Sequence, residues 1–121
     1  MANITPTVTY DDDRAGVVAT WANLTNGDNG TPVSFPDMLS RTVHVNGTFG
    51  TAGNVALQGG ANSSDLGNFT VLTDPQGNNL AITAAKIEAV QEVTRFCRPR
   101  VTNGNASTNL TVTFVARKIR T

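Results

Sequence analysis

Few side chains in this sequence are able to do chemistry, and they are scattered. There is one histidine, His44, and one cysteine, Cys97. A thiol nucleophile needs a base beside it. These two residues fall in different segments, so they make a weak Cys/His pair and no histidine-based metal cluster. A single cysteine also precludes an internal disulfide, and a buried thiol is its default state. Asp11, Asp12 and Asp13 form an acidic run. Hard cations favour oxygen ligands, but adjacent residues of an extended chain point to alternate sides. The run therefore reads as solvated charge, or as a patch facing arginines. Asn26, Asp28 and Gly30 echo part of a calcium loop that lacks its closing acidic residue, so that stretch reads as a turn. Arg95, Arg98 and Arg100 form a small basic patch, suited to phosphate or, given the balanced total charge, to ion pairs within or between subunits. Arg117, Lys118 and Arg120 make the end of the chain basic, and no acidic residue follows Glu92. Opposite charge at the two ends suits electrostatic contact with a neighbour. No Gly-x-Ser-x-Gly, Cys-x-x-Cys or His-Glu-x-x-His pattern occurs. The expectation is a protein with no catalytic residue, no cofactor and no metal.

The elements that position these residues read as strands. Gly16 to Leu24 holds the single tryptophan, a core or interface anchor. Thr42 to Phe49 alternates Val43, Val45 and Phe49 with Thr42, His44, Asn46 and Thr48, which puts His44 on the polar face. Further short runs follow at Asn54–Gly60, Asn68–Thr73, Asn79–Thr83, Arg95–Thr102 and Leu110–Phe114, with Val33–Pro36 as a short extended piece. Each is bounded by Gly, Asn, Asp or Pro. Phe69 and Val71 alternate as one face, and Phe96 and Val101 are expected inward. Pro99 cannot donate to a ladder, so its strand is expected at a sheet edge or carrying a bulge there. Ala84 to Val93 has Ile87 and Val90 three apart and Glu88 and Glu92 four apart, which predicts one or two helical turns crossing between sheets. Residues 1–14, with Ile4, Val8, Tyr10 and Pro6, read as an extended arm, either frayed or docked on a neighbour. The predicted organisation is an arm (1–14), a β-sandwich (15–116) and a basic tail (117–121). The fold class is all-β: an antiparallel sandwich, Ig-like or jelly-roll-like.

Composition narrows the function further. The formal net charge is zero, so bulk electrostatics do not mark a nucleic-acid binder. Only 15% of residues are charged, and threonine (18 copies) and asparagine (13) carry the polarity instead. Those residues favour strands and turns. There is no apolar leader and no apolar run long enough to span a bilayer. The expectation is synthesis in the cytoplasm, with no membrane partner.

Several of these segments together resemble a family of small virion proteins of tailed bacteriophages. The resemblance rests on Gly47–Gly50 (Gly-Thr-Phe-Gly), Val55–Gly59 (Val-Ala-Leu-Gln-Gly), and Phe69–Gly77 (Phe-Thr-Val-Leu-Thr-Asp-Pro-Gln-Gly). It continues through Ile87–Val90, Arg98–Gly104 and Thr108–Thr113 in the middle and end of the chain. Members resemble head decoration, or cement, proteins. The resemblance implies a sandwich that forms homo-oligomers on the capsid exterior, a trimer before a dimer, and staples neighbouring major capsid proteins. Under that reading the contact residues are Ile4, Val8, Tyr10, Asp11, Asp12, Asp13, Arg95, Arg98, Arg100, Arg117, Lys118 and Arg120. The alternatives are a neck or tail-completion protein, or a glycan- or receptor-binding module.

Overall fold

A computed structural model describes residues 2–119 of the chain. In chain order the strands are β1 (Asn3–Ile4), β2 (Thr7–Tyr10), β3 (Gly16–Leu24), β4 (Asn29–Gly30), β5 (Ser40–Thr48) and β6 (Asn54–Gly60). After a 3-10 turn at Leu66–Asn68 come β7 (Thr70–Val71), β8 (Ala81–Ile82), β9 (Lys86–Ala89), β10 (Phe96–Thr102) and β11 (Asn109–Arg117). They build two sheets. One has six strands in the order β1-β4-β10-β6-β7, with β8 also on β6. The other has five, in the order β2-β3-β11-β5-β9. All pairings are antiparallel except β1 with β4. The two sheets face each other as a β-sandwich, as the turn-punctuated alternation predicts.

The core is the sum of the two inner faces. Val17, Ala19, Trp21, Val43, Val45, Leu110, Val112, Phe114 and Ala116 come from the five-stranded sheet. Val55, Leu57, Ile82, Cys97 and Val101 come from the six-stranded one. Each large apolar side chain here contributes about 1.5–3 kcal/mol by leaving water. Trp21 is fully buried, and its Nε1–H donates to the Thr31 carbonyl at 3.1 Å. Trp21 and Leu24 both point inward although three residues apart, because the β3–β11 register shifts between Leu110 and Val112. The extra residue lies on β3, where Asn23 takes a positive φ of 59°. Asparagine is among the few residues that accept this conformation.

Several expectations are corrected. Ala84 to Val93 is not helical: β9 pairs along β5, with His44 opposite Ile87 and Thr42 opposite Ala89. Ile87 is 63% exposed while Val90 is buried, so their spacing marked no common face. The carboxylate of Glu92 accepts from the N–H and hydroxyl of Thr73 instead of pairing along a helix. Phe96 does not share a face with Val101; the two are an odd number of residues apart, and only Cys97, Pro99 and Val101 face inward. Phe69 and Val71 share a face, as their alternation predicts, and it is the outer one: Val71 pairs with Gln58 and the Phe69 ring lies against Gly60. Leu72 takes the core position, donating its N–H to the Leu57 carbonyl at 2.8 Å, and Phe69 turns outward. Finally, β10 lies inside its sheet, between β4 and β6, with Pro99 in unbroken register opposite Leu57. On the β4 side Cys97 bonds to Val33 and Val101 bonds to Asp28 and Gly27, so the ladder skips Pro99. The proline ring fills that gap against Gly30, where a Cβ would come within 2.5 Å of Pro99 Cδ.

The N-terminal residues are extended and lie on the chain's own body. β1 joins the six-stranded sheet and β2 the edge of the five-stranded one. Asp28 helps to anchor them. Its carboxylate accepts from the Thr25 N–H and Oγ1–H (both 2.9 Å) and from the Ala2 N–H (3.1 Å).

Candidate functional site

The two sheets present very different outer faces. On β10, alternation sends Cys97, Pro99 and Val101 inward and leaves Arg98 and Arg100, two apart, on the outer face. Register with β6 sets Gln58 opposite Arg98 and Gly60 opposite Phe96. On its other side Arg100 faces Asn29, and Asn29 faces Asn3, so an asparagine row extends from the arginine toward the sheet edge. The 3-10 turn folds Leu66, Gly67 and Phe69 over this surface. Gly60 makes the fit possible: a Cβ there would lie 2.5 Å from the Phe69 ring. These residues enclose a cleft of about 410 Å³ lined by Asn3, Asn29, Leu66, Gly67, Phe69, Arg98 and Arg100.

Arg98 is only 5% exposed. Its Nε–H donates to Gln58 Oε1 and one Nη donates to the Leu66 carbonyl, both at 3.2 Å. Its guanidinium lies 5.1 Å from the centre of the Phe69 ring. Burial, and then the like charge of Arg100, lower its pKa; a guanidinium nevertheless stays charged at neutral pH. Neither Arg98 nor Arg100 pairs with a carboxylate among the described residues, where the ion pair is Lys86–Glu88 at 3.3 Å. The sequence expectation of ion pairs within the subunit is therefore corrected for these two. Asn29 adds a second unmet group, a buried Oδ1 with no donor.

The outer face of the five-stranded sheet is smooth. Register aligns Thr7, Thr20, Thr113, His44 and Ile87 in one row across all five strands. A second row holds Thr9, Val18, Val115, Thr42 and Ala89. Neither row contains an Asp, Glu, Lys or Arg, and most members are β-branched.

The remaining sequence-predicted residues separate. Ile4 packs against the core from β1. Val8 and Tyr10 sit on β2, 40% and 42% exposed, with Tyr10 edge-on to Phe35 at 6.4 Å. Asp11, Asp12 and Asp13 form the exposed β2–β3 turn, closed by bonds from Asp11 N–H to Gly16 O and Arg14 N–H to Asp11 O. Arg117 pairs in register with Gly16, and Lys118 N–H donates to the Ala15 carbonyl. The acidic and basic ends thus meet on one molecule, rather than standing at opposite poles. Arg95 precedes β10 and lies over Phe96, 5.4 Å from its ring centre, outside the cleft lining. Arg120 lies outside the described residues. His44 and Cys97 do not form a pair: one is on the outer face of one sheet, the other inside the opposite sheet. Burial pushes the Cys97 thiol up to about 12, with the charge of Arg41 opposing it, so it is protonated at neutral pH.

Reasoning from sequence missed Asn3, Asn29, Gly67 and Phe69 as cleft residues, and no fixed spacing links them. It also missed Arg41, whose buried guanidinium donates to the carbonyls of Phe35, Met38 and Thr94 at 2.9–3.1 Å. Compared with known proteins, the chain matches no family model and no curated protein.

Proposed function

We propose that this protein is a non-enzymatic capsid decoration, or cement, protein. It binds the exterior of a phage head as a homo-oligomer, a trimer before a dimer, and stabilises contacts between major capsid proteins. The observation that carries this reading is the outer face of the five-stranded sheet, where two successive rows hold no Asp, Glu, Lys or Arg. Protein-protein contacts deplete charged residues at their centres, and flat β-branched rows pack without ordering long side chains. Many copies on one particle convert modest single contacts into high avidity. The chemistry fits a binding role as well: the cysteine is buried and protonated, and the histidine stands apart from it. The sequence resemblance to virion proteins supplies the setting.

The test is addition of recombinant protein to undecorated heads. The expected result is saturable binding at hundreds of copies per particle and a higher capsid melting temperature. Binding at only a few copies would point to a neck or tail-completion role. An unchanged capsid melting temperature at saturation would overturn the cementing role.

A further inference from the structure

The geometry points to the Arg98–Arg100 cleft as a recognition site for an acidic peptide segment, held through one Glu or Asp side chain. The inference stands on the cleft alone and is independent of the capsid reading. A guanidinium has five N–H donors, and Arg98 uses two of them, toward Gln58 and Leu66. Its remaining donors and the Arg100 guanidinium have no acceptor among the described residues. Two cations thus share one concave surface with no anion among the described residues. Like charges held together with one of them largely desolvated are unfavourable unless an anion arrives. A carboxylate has two acceptor oxygens, and its hydrogen bonds from guanidinium N–H groups are charge-assisted, roughly twice as strong as neutral ones.

The cleft wall specifies the rest of the ligand. Leu66 and the Phe69 ring give the cleft an apolar wall that accommodates the methylene stem of an acidic side chain but offers nothing to inorganic phosphate. At about 410 Å³ the cleft has the volume of a small-ligand site, enough for one side chain and its flanking backbone. Gly67 leaves open space on one side, since nothing lies within 4 Å of a Cβ built there.

The experiment is titration of the isotope-labelled full chain, followed by amide and guanidinium NMR. The probes are a capped Gly-Glu-Gly peptide, the matching Gly-Gln-Gly peptide, acetate and inorganic phosphate. The Glu peptide is expected to give saturable shifts at Gly67, Phe69, Arg98 and Arg100, and to bind at least tenfold more tightly than the Gln peptide or acetate. Arg100→Gln, which removes no side-chain bond among the described residues, should weaken it at least tenfold with an unchanged melting temperature. Gly67→Glu should block the site by placing a carboxylate in it, and should raise the melting temperature. Equal binding of the Glu and Gln peptides would overturn the inference, as would Glu-peptide binding unaffected by Arg100→Gln. Phosphate or acetate binding as tightly as the Glu peptide would overturn the peptide assignment.

Discussion

The outer faces of the two sheets are made by the same rule and end up as opposites. Both are the solvent side of an alternating strand pattern. On the five-stranded sheet, threonine, valine, alanine, isoleucine and one histidine, His44, fill the outward positions of two rows, with no Asp, Glu, Lys or Arg among them. On the six-stranded sheet, Arg98, Arg100, Gln58, Asn29 and Asn3 fill them, and a 3-10 turn folds Phe69 onto a glycine to make a cleft. A surface that must meet a large partner is best kept flat and uncharged. A surface that must hold one group is best made concave, with unmet donors.

The strongest way to break the contrast is to put a charge on the smooth face. Thr113 is central in its row, and Thr113→Lys should change folding stability by less than about 1 kcal/mol. Capsid binding or self-association should fall about a hundredfold, read by co-sedimentation with heads and by sizing of the free protein, because an unpaired cation would be buried. The cleft should respond in the other sense, through the fold. Gly60→Val forces a Cβ into the Phe69 ring and should cost about 1–3 kcal/mol in a denaturant melt. Thr20→Val on the smooth face should stay within about 0.5 kcal/mol.

A smaller effect comes from pH. Burial alone would raise the Asp28 carboxyl, but its bonds from Thr25 and Ala2 outweigh that and hold it below its ordinary 3.8. Bonds from the Thr73 hydroxyl and N–H, against some desolvation, hold Glu92 below 4.5. A carboxylate with a lowered folded pKa contributes stability that is complete above its unfolded value. That contribution is lost as pH falls through the folded value. Melting temperature should therefore be flat from neutral pH to about 4.5 and drop below it. Asp28→Asn with Glu92→Gln should flatten the acid limb. Protonating Asp28 also loosens β1, so the Asn3 side of the cleft should lose NMR shift dispersion before the smooth face does. The smallest expected signal is at Cys97: a thiol pushed up to about 12 inside the core should not react with a disulfide reagent until the chain unfolds.

Much of this contrast was legible along the chain. Alternation at Thr42–Phe49 placed His44 outward, and the run Gly16–Leu24 is the strand β3 residue for residue. Arg98 and Arg100, two apart on a strand, had to share a face. The 3.6-residue reading of Ala84–Val93 failed because a four-residue edge strand is too short for its pattern to compete, and pairing with β5 decided it. Alternation put Phe69 and Val71 on one face, but that this face is the outer one was not legible, because the seat for the Phe69 ring is a glycine on another strand.

What the sequence determined by itself is therefore the local part: which residues alternate, where turns interrupt them, and that the cysteine and histidine fall in different strands. A two-residue repeat and the preferences of Gly, Asn and Pro act between neighbours, so they are readable without a partner strand. Only the tertiary structure decided that Asn3 and Asn29 stand beside Arg100, that Arg98 is buried without a counter-ion among the described residues, and that the charged ends of the chain lie side by side. Those facts depend on lateral strand order, set by which faces bury together, and a sheet's neighbours need not be the chain's.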